Sequence, residues 1–154
     1  MTLAKDLREF IESLNSHGVE FVVVGAHAVA FHGHPRFTGD LDLLVRPAPE
    51  NAERVIAALR AFGFTSPGLS AADFLRPDSV VQLGVAPNRI DLLTSITAVG
   101  FDEAWAGRAA GALGGPPVSF LGYDALLKNK LATGRSRDAE DVARLKVIRS
   151  RERR

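Results

Sequence analysis

Asp40 and Asp42 stand two residues apart in the run Asp40-Leu41-Asp42-Leu43, and a third acid, Asp91, stands in Ile90-Asp91-Leu92. On an extended strand residues two apart point the same way, so the paired acids share one face while Leu41 and Leu43 turn to a core. Asp91 is also flanked by apolar residues, which puts a charge on a strand whose neighbours are buried. A carboxylate in that setting raises its pKa or finds a cation. Magnesium suits such a set, because it takes hard oxygen ligands and keeps part of its shell for substrate phosphates and water. Upstream, Phe21-Val22-Val23-Val24 runs into Gly25-Ala26, a strand turning into a helix whose first amides can meet a phosphate. Strand, glycine turn, helix and paired acids together describe a metal-nucleotide site.

Several elements must hold these residues in place. Leu3, Leu7, Phe10, Ile11 and Leu14 form the stripe of an amphipathic first helix. Val19 to Val24 is a short β-branched run suited to a strand covered on both faces. A short helix follows to Phe31, broken by Gly33-His34-Pro35, and Leu41 to Val45 is the second strand. Glu50 to Phe62 carries a helical stripe with Pro49 near its first turn. A looser stretch runs from Gly63 to Pro77, and Ser79 to Val85 with Arg89 to Leu93 form a hairpin around Ala86-Pro87-Asn88. A short helix near Phe101 to Arg108, a turn at Gly114 to Pro117 and a strand near Val118 to Leu121 come next. Two closing helices span about Tyr123 to Thr133 and Arg137 to Ile148. The expected fold is α/β (α+β): a mixed sheet of four or five strands flanked by helices, in one domain over residues 1–154 with its closing helices at about 123–148.

Composition bounds the partners. The chain has 154 residues, 46% of them hydrophobic and 24% charged, with a formal net charge of +1, so no global pull toward nucleic acid or membrane exists. There is no cysteine, which excludes disulfides and thiolate zinc sites. Lys5, Asp6, Arg8, Glu9 and Glu12 are foreign to a signal-peptide core, and no apolar run reaches the roughly 20 residues of a membrane span. A soluble cytoplasmic protein is the expectation.

The combination Val24-Gly25-Ala26, Asp40-Leu41-Asp42 and Ile90-Asp91-Leu92 resembles the nucleotidyltransferase superfamily typified by DNA polymerase β, and most of all its minimal stand-alone members related to abortive-infection and toxin-antitoxin systems. The runs His32-Gly33 to Arg36, Thr38, and Asn129-Lys130 through Gly134-Arg135, Arg137-Asp138 and Asp141-Val142 are similar to that group, and the resemblance spans about residues 20 to 146. It implies a nucleotidyltransferase-like fold and transfer of a nucleoside monophosphate from a nucleoside triphosphate such as ATP to an acceptor hydroxyl, with release of pyrophosphate. Asp40, Asp42 and Asp91 would hold two Mg2+ ions, with Mn2+ as a substitute, and Asp91 would help deprotonate the acceptor. Gly25, Ala26, Arg36, Thr38 and Lys130 are the implied nucleotide contacts, with Arg135 and Arg137 beside them. The acceptor is left open among RNA, protein and small molecule, and a homodimer or a partner protein would supply the grip that a chain of this size lacks.

The chain departs from the family pattern at Ala26, where Gly or Ser is usual; alanine keeps the backbone N–H and offers no hydroxyl. The alternative is therefore a catalytically weak or inactive module that binds a nucleotide or a protein, as in one half of a toxin-antitoxin pair. Other features have plainer readings. His27, His32 and His34 read as packing or substrate contacts rather than zinc ligands, and Asp138 and Asp141 as acids favoured by a helix dipole. The basic tail of Arg149, Arg151, Arg153 and Arg154 reads as a solvated terminus, with RNA or an acidic partner as its alternative.

Overall fold

A computed structural model describes residues 5–35, 38–84 and 88–152. In chain order these form α1 (Lys5–Ser16), β1 (Phe21–Val24), α2 (Gly25–Phe31), β2 (Asp40–Val45), α3 (Pro49–Phe62), a 3₁₀ turn (Ala71–Phe74), β3 (Val80–Leu83) and β4 (Arg89–Leu93). They are followed by α4 (Phe101–Ala106), β5 (Ala109–Ala112), β6 (Pro117–Phe120), α5 (Tyr123–Thr133) and α6 (Ser136–Glu152). The strands make one six-stranded mixed sheet in the order β3-β4-β2-β1-β6-β5. β1 runs antiparallel to β2 and parallel to β6, and β2 runs parallel to β4.

Two apolar cores sandwich the sheet. Leu7, Phe10, Ile11 and Leu14 of α1 and Val55, Ile56 and Leu59 of α3 close over Leu41, Leu43 and Val45 of β2 and Ile90 and Leu92 of β4. On the other face, Ala28 and Val29 of α2, Phe101 and Ala104 of α4, Leu126 of α5 and Leu145 of α6 gather around Val22, Val24 and Leu44. The all-apolar β1 serves both cores, as expected of a strand buried throughout.

The sheet has one strand more than the four or five expected. Ala109–Ala112 has no β-branched or aromatic residue to announce a strand, and its pairing with β6 imposes the extended form. The aromatic rings of Phe31 and Phe120 stack 4.2 Å apart, and a Cβ on Gly111 would collide with both. The loose stretch after α3 contains the 3₁₀ turn, pinned by the fully buried Phe74. β3 pairs antiparallel with β4 as the expected hairpin arms; Val85, Ala86 and Pro87 lie outside the described residues, as do Leu3, Arg153 and Arg154.

Candidate active site

The register of β2 against β4 builds the site. Asp40 lies beside Arg89, Asp42 beside Asp91 and Leu44 beside Leu93, in two rows on one face of two adjacent parallel strands. The far end of the rows is apolar: Leu44 belongs to the second core and Leu93 packs against it. The near end is a tile of three carboxylates and one guanidinium. Arg89 Nη2 donates to Asp40 Oδ2 at 2.8 Å and to Asp91 Oδ2 at 3.4 Å. Arg89 Nε is 3.2 Å from Asp91 Oδ1, yet the angle makes no hydrogen bond, and both buried atoms lack one.

Asp42 completes the tile, while the Arg89 hydrogen bonds go to Asp40 and Asp91. Burial, then the charges of Asp91 and Asp40 and a hydrogen bond with Asp91, push its carboxyl up to about 6, and the opposing pull of Arg89 does not cancel them. Asp42 also marks where β1 turns into α2. Val24 is its cross-strand partner, Gly25 follows in the left-handed region at φ +68°, and a Cβ there would strike Asp42 Oδ2. Only glycine combines that backbone with so close a carboxylate. Val24, the N-cap of α2, gives no side-chain hydrogen bond to the first amides of the helix. Thr38 works one step earlier: its Oγ1 accepts from the Asp40 amide at 3.1 Å and donates to the Asp40 carbonyl at 3.2 Å, a local turn that sets the entry to β2.

Of the residues expected at the site, Asp40, Asp42 and Asp91 are brought together, with Gly25 against Asp42 and Thr38 on the Asp40 backbone. Arg36 lies outside the described residues. Lys130 lies between α5 and α6. Its side chain is 6% exposed, and its Nζ lies 3.0 Å from Asp138 Oδ1 and 3.2 Å from Asp141 Oδ2. Thr133 Oγ1 and Arg135 Nε also donate to Asp138 Oδ2, at 2.6 and 2.8 Å. Burial alone would raise the Asp138 pKa, but the bonds from Arg135, Thr133 and Lys130 outweigh it and hold the carboxyl well below the usual range. His34, in the loop between α2 and β2, reaches this cluster at 3.8 Å from Asp141 Oδ1. His32 Nε2 instead meets the Leu121 carbonyl at 2.8 Å, and His27 is buried with Nδ1 lacking a hydrogen bond. Arg149 stacks over Tyr123 at 4.1 Å from the ring centroid.

Arg89 was not singled out by sequence reasoning, although a signal was there: it precedes Asp91 by two residues, so on a strand it shares that acid's face. The donor set suits a hard divalent cation, and the buried Asp91 Oδ1, which faces Arg89 Nε at 3.2 Å, has no hydrogen bond. Among the described residues, no group of three or more His, Asp or Glu side chains has converged into a metal shell; Asp40 and Asp91 are paired with Arg89.

The family described as "nucleotidyl transferase of unknown function" matches residues 3–152, so the chain belongs to it. No curated protein matches the chain. Among the described residues no helix is long and apolar enough to cross a membrane.

Proposed function

Starting from that membership, we propose that the chain is a metal-dependent nucleotidyltransferase that moves a nucleoside monophosphate from a triphosphate to an acceptor hydroxyl. The observation that carries the reading is the tile: Asp40, Asp42 and Asp91 on one face of adjacent parallel strands, beside a glycine turn that packs on Asp42. Asp40, Asp42 and Asp91 would hold Mg2+, which when bound supplies neutralising charge for the triphosphate and the departing pyrophosphate. The amides of Gly25 and Ala26 would hold phosphate oxygens. The acceptor oxygen bonds to the α-phosphorus as the bond from that phosphorus to the bridging oxygen breaks, and Asp91 takes the hydroxyl proton. Thr38 holds Asp40 in place through its backbone. For Lys130, burial between two aspartates favours holding α5 against α6 over gripping a phosphate.

The test is transfer of label from each of the four α-labelled nucleoside triphosphates, with Mg2+, into RNA, protein and small-molecule fractions of a lysate. Wild type should label one class of acceptor, and Asp42→Ala should not. Equal labelling by the variant would remove the tile from the mechanism. No label from any triphosphate would replace the enzyme with a module that binds a nucleotide or a protein, such as a toxin-antitoxin component, and would make Ala26→Ser the first variant to try.

A further inference from the structure

We propose that Arg89 is the resident counter-ion of the carboxylate tile, a guanidinium that holds Asp40 and Asp91 together until a divalent cation displaces it. The inference rests on the metal-binding reading of the same site. It begins with register: Arg89 is the direct cross-strand partner of Asp40 and shares a strand face with Asp91, so backbone pairing alone delivers a fixed positive charge between two acids. Arginine keeps that charge at every working pH and cannot escape by losing a proton.

The way Arg89 is seated argues that the contact is made to be broken. A guanidinium committed to one carboxylate lays two parallel N–H groups on its two oxygens. Here Nη2 lies 2.8 Å from Asp40 and 3.4 Å from Asp91. Nε faces Asp91 Oδ1 at 3.2 Å without hydrogen-bond geometry. Arg89 thus covers oxygens of two of the three acids while making an ideal fork with neither. Its side chain is 34% exposed, as is that of Asp40, against 10% for Asp91, so it has a way out to solvent while Asp91 stays. A cation ligated by Asp40 and Asp91 would need the oxygens that the guanidinium now covers. Arg89 is therefore a competitor for the metal position, and it keeps three neighbouring acids tolerable in the metal-free protein. Among the described residues the tile sets three carboxylates against one guanidinium, an unequal charge that favours an incoming cation.

Mn2+ affinity of the full chain without nucleotide, measured from the electron paramagnetic resonance signal of the free ion, tests this directly. Arg89→Gln should bind Mn2+ about tenfold more tightly than wild type, as expected when a charge-assisted competitor is removed; Arg89→Lys should fall between them. In EDTA the Gln variant should melt below wild type and recover with Mn2+. In case the variant does not fold, wild-type protein labelled with 15N-arginine provides a second readout: the Arg89 Nε–H resonance should move as Mg2+ saturates the site. Mn2+ affinity in Arg89→Gln equal to or weaker than wild type would overturn the proposal while leaving the metal site standing, as would an Arg89 resonance that ignores saturating Mg2+. Absence of metal binding by both proteins would overturn this inference together with the metal-dependent reading of the site.

Discussion

Two of the charge clusters on this fold are built on opposite principles. Between α5 and α6, Lys130 and Arg135 face Asp138 and Asp141, two bases for two acids, and both carboxylates are almost wholly buried. On the sheet, among the described residues, Asp40, Asp42 and Asp91 have Arg89 as their one basic neighbour, and the charge does not close. A balanced cluster can be buried and left alone. An unbalanced one is stable only if a group keeps its proton or a cation arrives, and Asp42, pushed up to about 6, shows the first of these. The difference separates a group of charges that holds helices together from one that, under the proposed function, would receive a cation.

The largest expected effect sharpens the functional side of that contrast. Asp42→Ala should lower nucleotidyl transfer at least ~10³-fold, about 4 kcal/mol in the barrier, while its melting temperature in EDTA stays level or rises. Rate assays paired with thermal melts check both halves. Lys130→Met should behave the other way: urea titration should show a loss of about 3 kcal/mol, because two buried carboxylates lose their shared partner. A loss below about 1 kcal/mol would break the comparison, since exposed ion pairs are worth no more than that.

The two clusters should also have opposite pH slopes. The Asp42 carboxyl keeps its proton to about 6 in the folded protein, against 3.8 ordinarily. Its contribution to stability is therefore full below about pH 4 and is lost as pH rises through about 6. Metal-free Asp42→Asn should then exceed wild type by about 2 kcal/mol at pH 8, after allowance for solvent screening of this half-buried group, and the gain should vanish at pH 4. The Asp138 carboxyl is held below its ordinary 3.8, so its stabilisation is present above that value and is lost as pH falls toward its folded-state pKa. Denaturant titrations of Asp42→Asn and Asp138→Asn from pH 3.5 to 8 should show wild type losing ground to the first and gaining on the second as pH rises.

The smallest effects come from a matched pair of glycines, one beside each cluster. Gly25 and Gly134 have nearly the same backbone, φ +68° and +66°, but a Cβ on Gly25 meets Asp42 while one on Gly134 meets nothing within 4 Å. Gly134→Ala should cost about 1 kcal/mol, the strain of the left-handed conformation alone. Gly25→Ala should cost at least about twice that. Equal losses would mean that Asp42 yields freely.

Much of this was legible in the chain. The stripe of α1, the β-branched run of β1, the turn at Gly25 and the Asp-Leu-Asp alternation of β2 are local patterns, and local patterns follow from helix and strand periods. The same holds for the hairpin arms of β3 and β4. β5 was not legible, because Ala-Ala-Gly-Ala acquires its conformation from a partner strand. The pairing of Lys130 with Asp138 and Asp141 was not legible either, because it depends on how α6 folds back on α5.

The sequence by itself determined which residues share a strand face, and therefore that Asp40 goes with Asp42, and Arg89 with Asp91. Tertiary structure alone decided that β4 lies parallel to β2 with Asp42 beside Asp91, and so that three acids and one arginine meet. The period of a strand is written in each residue's covalent geometry. Register between strands about fifty positions apart is set only when the whole sheet closes over its two cores.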